Sequence, residues 1–179
     1  AWIKEHYHAH EYERSQPILH RIRGTKSINE LEVMRKAAEI TIKGYKRVLK
    51  YMKPGVWEHE LEAEFMHEFL MNRSRGFAYT PIIAAGNNAN VLHYIENNEE
   101  CHDGDLVLFD VGAEYGNYTC DVTRCFPVNG KFSARQAEIY NAVLRVHEGA
   151  ISILRPGIML DDYHKKVGDL MTDELLKLG

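Results

Sequence analysis

The sequence predicts an α+β domain built on a duplicated plan. Three observations point there: amphipathic helical patterns around residues 28–72, a run of strand patterns over 79–128, and a second pair of helical patterns at 139–176. The two helical pairs share a punctuation mark. Lys53-Pro54-Gly55-Val56 recurs as Arg155-Pro156-Gly157-Ile158, 102 residues further on, with helical patterns on both sides of each copy.

Taken in order, Ser27-Ile28-Asn29-Glu30 has the capping-box form, Ser27 as N-cap and Glu30 reaching back, and opens a helix to about Tyr51. Leu31, Met34, Ala38, Thr41, Ile42 and Tyr45 form its apolar face. Pro54 lacks an amide and Gly55 permits the turn, so the helix breaks there. A second helix follows from about Trp57 to Asn72, with Leu61, Phe65, Phe69 and Leu70 at helical spacing. Strands are expected at Tyr79 to Ala85, Asn90 to Tyr94, Leu106 to Glu114 and Asn117 to Val128. The second copy of the plan ends at its second helix. Half a sheet is then expected to be missing, leaving strand edges and an apolar face uncovered.

The 179 residues, 45% hydrophobic, suffice for one sizeable core. A formal charge of −4 without a Lys/Arg block argues against a nucleic-acid partner. No run of about 18 apolar residues is present to span a membrane, and the polar, His-rich start is unlike a signal peptide. A soluble protein is expected. Cys101, Cys120 and Cys125 are too few for a disulfide scaffold and lack Cys-x2-Cys spacing, so they read as small buried residues in a reducing, cytoplasmic compartment. His6, His8 and His10 read as a solvated segment.

The chemistry concentrates in the stretch 105–124. With Tyr115-Gly116 as a two-residue turn, it forms a hairpin that sets Asp110 opposite Asp121, on one face and roughly 5 Å apart at Cβ. Like charges so placed cost stability, and Asp110 ends the apolar run Leu106 to Phe109. A shared proton or one or two divalent cations would relieve that cost. Solvated aspartates, or a pairing with Arg124, is the alternative. Two carboxylates do not close a catalytic metal site, which usually has three or more protein ligands. His93, in an apolar strand after an Asn-rich approach, reads either as a core histidine or as a site residue.

The run from Lys26-Ser27 through Glu30, Met34-Arg35 and Glu39-Ile40-Thr41, the segment Gly86-Asn87 to Leu92-His93-Tyr94, and above all Asp110-Val111-Gly112-Ala113-Glu114-Tyr115 with Asp121-Val122-Thr123-Arg124 resemble Xaa-Pro aminopeptidases and prolidases. The resemblance spans nearly all of the chain from about Arg21. It implies the pita-bread fold, a pseudo-two-fold duplication of helices and antiparallel sheet, here as the first half plus the start of the second. Residues 1–25 would be the linker or exit segment of a separate N-terminal domain, with its exit helix around Ala1 to Arg14. Residues 26–179 would be the N-terminal part of the catalytic domain.

The resemblance also implies that Asp110 and Asp121 are the first two ligands of a dinuclear site, usually manganese, with Asp121 bridging the ions. His93 would be catalytic, contacting the substrate and the tetrahedral intermediate, and Tyr79, fourteen residues before it, would be a substrate-binding residue that hydrogen-bonds near the metals. The substrate would be a peptide with proline at its second position. The family's remaining ligands, a histidine and two glutamates, belong to the second half of the duplication and have no counterpart here. The chain is therefore expected to need the rest of its parent, and to be inactive alone; many relatives are homodimers.

Methionine aminopeptidase shares the fold and the aspartates, but its histidine is typically followed by glycine, where Tyr94 follows His93 here. Creatinase-like relatives lack the aspartate pair, as do the relatives that serve as binding modules. Prolidase remains the nearest alternative.

Overall fold

The computed structural model describes residues 2–179. Two helices precede the main body, α1 (Trp2–His6) and α2 (Ser15–Gly24), neither with a buried residue. The helix expected around Ala1 to Arg14 is thus confined to a short piece, Ala1 itself lying outside the described residues, and a longer helix forms after it.

The capping box at Ser27 and Glu30 forms and starts α3 (Ile28–Tyr51). The chain turns at Gly55, whose φ of +92° is the left-handed value glycine tolerates, and α4 (Glu58–Met71) follows. The buried stripe of α3 is Ala37, Ile40, Thr41, Gly44, Tyr45 and Val48, rotated from the expected one; Leu31 and Ile42 are exposed. Gly44 explains the rotation. A Cβ there would lie 2.7 Å from Phe65 and 2.8 Å from Phe69, so the missing side chain lets α4 seat both rings against α3. Leu61, Phe65 and Phe69 of α4 are fully buried, whereas Leu70 faces out.

The helix pair covers one face of a three-stranded antiparallel sheet formed by β1 (Ile82–Ala85), β2 (Leu106–Val111) and β5 (Val122–Pro127), in the order β1-β2-β5. Val107, Phe109 and Val111 of β2 point into the core with Ile83 of β1, and Tyr45 reaches across from α3 to donate to the carbonyls of Val122 and Phe109 at 2.7 and 3.2 Å. The alternate residues of β2, Leu106, Leu108 and Asp110, lie on the opposite, half-buried face.

β3 (Glu114–Tyr115) and β4 (Tyr118–Thr119) continue the β2–β5 hairpin outward. Its turn is Gly116-Asn117 rather than Tyr115-Gly116. A type I′ turn needs positive φ at both central residues; Gly116 and Asn117 have +59° and +64°, a conformation unfavourable for tyrosine. Asp110 consequently pairs with Thr123 rather than with Asp121. The shift amounts to two residues, so the face each aspartate occupies is retained.

The segment Asn90 to Tyr94 is not a strand. A 3₁₀ turn, Gly86–Asn90, leaves β1 directly, and His93 adopts a left-handed φ of +56° in the loop beyond. The outward-facing amides of β1 are taken by side chains instead: Ile83 N donates to Asn97 Oδ1 at 3.0 Å and Ala85 N to Glu58 Oε1 at 2.7 Å. That edge is closed to further strands.

After the sheet come α5 (Ala134–Ile153), with its own capping box at Ser133 and Gln136, and α6 (Leu160–Leu178). α3 and α5 end at equivalent positions of the repeat, Tyr51 and Ile153, and α4 and α6 begin at equivalent ones, Glu58 and Leu160. The duplicated helical plan is therefore real. Unlike α3 and α4, the second pair has no sheet against it among the described residues, and Val143, Ile151, Leu154, Leu160 and Leu176 are exposed. Among the described residues no helix is long and apolar enough to cross a membrane. The three cysteines are free thiols; Cys101 is buried and the other two half-buried.

Candidate metal centre

The site forms where the hairpin is interrupted. At Gly112 the strands approach so closely that a Cβ would lie 1.6 Å from the carbonyl oxygen of Cys120. This break in the ladder separates β2 from β3 and β4 from β5, and Asp110 and Asp121 flank it. Ala113 N donates to Thr41 Oγ1 at 2.9 Å and Ala78 N to the Gly112 carbonyl at 2.8 Å, so α3 and the chain before β1 both hold the break. The second contact also delivers Tyr79.

The Tyr79 hydroxyl lies 2.6 Å from Asp110 Oδ1 and 3.2 Å from Asp121 Oδ1. The two acids, diagonal neighbours across the hairpin, thus converge on one oxygen. Burial, then the bond to Asp110 and the charges of both acids, pushes the Tyr79 phenol above its ordinary range, so it stays protonated. It has one proton to give, to one carboxylate at a time.

The remaining negative charge has no ion-pair partner among the described residues. None of the ion pairs among the described residues includes Asp110 or Asp121. Arg124, the nearest candidate in sequence, donates to the carbonyl of Thr123 at 2.7 Å. Two hard carboxylates with a deficit of positive charge fit a divalent cation. They are a partial donor set, since among the described residues no group of three or more His, Cys, Asp or Glu side chains is placed to hold one.

Asp110 also lines a cleft of about 280 Å³ on the sheet face opposite the helices. Ile82, Ala84 and Leu108 form its floor, Thr123 flanks it, and Val91, Leu92 and the exposed His93 form its rim. The structure therefore brings Tyr79, Asp110 and Asp121 together and sets His93 on the same cleft by means of a loop.

Residues 32–178 match the family model described as Metallopeptidase family M24. The chain belongs to that family. Among its M24 relatives, the Xaa-Pro aminopeptidase of Escherichia coli is 43% identical over 164 residues, covering 92% of this chain and 37% of its own. The solved proline aminopeptidase P II from Yersinia pestis superposes with a TM-score of 0.88 at 41% identity, covering 92% and 38% of the two chains. A zinc-substituted E. coli aminopeptidase P in complex with product gives 0.88 at 42% identity, with the same coverage. This chain thus spans somewhat over a third of the length of these M24 relatives, and its architecture is the corresponding part of the pita-bread fold. Membership in a metallopeptidase family accords with two carboxylates that share one hydroxyl and form no ion pair among the described residues.

The sequence did not single out Glu58, which is fully buried at the start of α4. Its spacing, three residues before Leu61 and seven before Phe65, is that of the buried stripe of α4, but a glutamate at such a position reads by residue type as solvated. Cys101 beside it is pushed up to about 12, by burial first and by the Glu58 charge second.

Proposed function

We propose that the parent enzyme of this chain is a metal-dependent Xaa-Pro aminopeptidase, hydrolysing the bond between an N-terminal residue and a following proline. The observation that carries the reading is the convergence of Asp110 and Asp121 on Tyr79, with neither acid in an ion pair among the described residues, in a chain of a metallopeptidase family. The close relatives named Xaa-Pro aminopeptidase support the substrate class.

Asp110 and Asp121 would hold two divalent ions together with ligands from the rest of the parent, manganese being the metal the sequence resemblance implies. Such ions supply Lewis acidity and lower the pKa of water at the site. Tyr79 holds the Asp110 carboxylate in place through its hydroxyl and keeps its own proton. His93 stands at the rim, where it would contact the peptide, and the floor of Ile82, Ala84 and Leu108 excludes water from one side of the cleft. Residues 26–179 would form the N-terminal part of the catalytic domain, following a linker of residues 1–25. A cytoplasmic homodimer is the assembly that accompanies this reading.

Full-length enzyme, with and without manganese, tests it. Release of the residue before proline that requires manganese and disappears in Asp110→Asn and Asp121→Asn is the expected result. Undiminished activity in both variants would refute the assignment.

A further inference from the structure

The side chain of Glu58 is fully buried, and no ion pair among the described residues includes it. A buried carboxylate without a cation is tolerated only when its lone pairs are filled by donors. Four donors fill them. Oε1 accepts from Ala85 N at 2.7 Å and Asn88 Nδ2 at 3.2 Å; Oε2 accepts from the Tyr94 hydroxyl at 2.7 Å and Glu99 N at 3.1 Å.

All four donors belong to residues 85–99, the segment that carries His93. Glu58 N donates to the carbonyl of Glu99 at 2.9 Å, so backbone and side chain grip the same loop. One turn further along α4, Glu62 accepts from Asn97 Nδ2 at 2.9 Å, and Asn97 in turn donates to the Pro81 carbonyl. His93 and Asn97 both have left-handed backbones, φ +56° and +47°, conformations that persist in non-glycine residues when the surroundings over-determine them. For His93 the fixed points are Asn88 before it and Tyr94 immediately after it.

We propose that Glu58 is a positioning residue for the hydrolysis: by gathering the amides and the Tyr94 hydroxyl of this segment, it places His93 at the cleft beside Asp110. The inference rests on the function proposed above. It requires the carboxylate itself. Glutamine has the same shape, but its NH₂ group would confront two donors. Tyr94→Phe is milder, removing one donor and leaving three.

The test compares full-length wild type, Glu58→Gln, Tyr94→Phe, His93→Ala and the Glu58→Gln/His93→Ala double variant, reading kcat and KM on an Xaa-Pro peptide. A displaced loop is expected to lower kcat about 100-fold in Glu58→Gln, with a smaller loss in Tyr94→Phe. The double variant should be no slower than His93→Ala alone, because Glu58 acts through His93. Equal losses from Glu58→Gln in both backgrounds, or no loss at all, would overturn the proposal. Should Glu58→Gln fail to fold, Tyr94→Phe combined with His93→Ala decides by the same criterion. Amide hydrogen exchange separates this inference from the functional reading on which it rests. Faster exchange confined to 86–99 in Glu58→Gln supports the hold on the loop, and unchanged exchange there overturns it. Wild-type protein that releases nothing before proline defeats the hydrolase reading instead.

Discussion

Asp121 lies diagonal to Asp110 across the hairpin, Asp110 pairing with Thr123, and the Tyr79 hydroxyl bridges the two acids. One proton shared between two carboxylates leaves a net repulsion. Removing the more exposed charge in Asp121→Asn should raise the stability of metal-free protein by up to about 1 kcal/mol. Added manganese should stabilise the wild type further, and the same change should abolish that gain. Thermal unfolding of the full-length protein with and without the metal checks both signs.

Tyr79→Phe should act in the opposite direction. It removes the donor from Asp110 and leaves both charges in place, so metal-free protein should lose about 1 kcal/mol. Chemical denaturation of metal-free protein measures the loss, and an increase in stability would contradict the bridging role.

Gly112→Ala should be the most damaging of these substitutions. Its Cβ would meet backbone, 1.6 Å from the Cys120 oxygen, and backbone cannot swing aside as a side-chain tip can. A cost of about 3 kcal/mol or more is expected. Gly24→Ala, with nothing within 4 Å, serves as the control and should change stability by less than about 0.5 kcal/mol. Paired denaturation curves make the comparison.

Local chemistry made much of this architecture legible in the sequence. Ser27 and Glu30 announced a helix start, Pro54-Gly55 a break, and the recurrence at Pro156-Gly157 a duplication, because each acts through its immediate neighbours. What failed depended on distant partners. The buried stripe of α3 differs from the one its periodicity predicts, because Gly44 matters only once Phe65 and Phe69 lie against it. The pattern of Asn90 to Tyr94 predicts a strand, but Glu58, 30 residues before Asn88 and 36 before Tyr94, captures both side chains. Asp110 and Asp121 share a face with either turn, since the two turns differ by an even register shift, which preserves the face. A shift of one residue would have separated them.

Acid should weaken the tie between the hairpin and α3. Glu30 accepts from the Tyr118 hydroxyl at 2.6 Å and from Ser27 N at 2.6 Å. The Tyr118 bond, followed by the Ser27 bonds, lowers its pKa from 4.5 to about 2. Because the folded value is the lower one, this contribution is complete above pH 4.5 and is lost as the pH falls towards about 2. Glu30→Gln should therefore show a shallower loss of stability across that window than wild type. Denaturation curves at several pH values within it provide the check.

The most direct measurement is a calorimetric titration of manganese into metal-free full-length enzyme, beside Asp110→Asn and Asp121→Asn. The account predicts tight binding by the wild type and affinity lowered by about 100-fold or more in each variant, at least the loss that outer-shell changes alone can cause. Wild-type affinity retained in both variants would show that these carboxylates hold no metal, and would contradict the account at its centre.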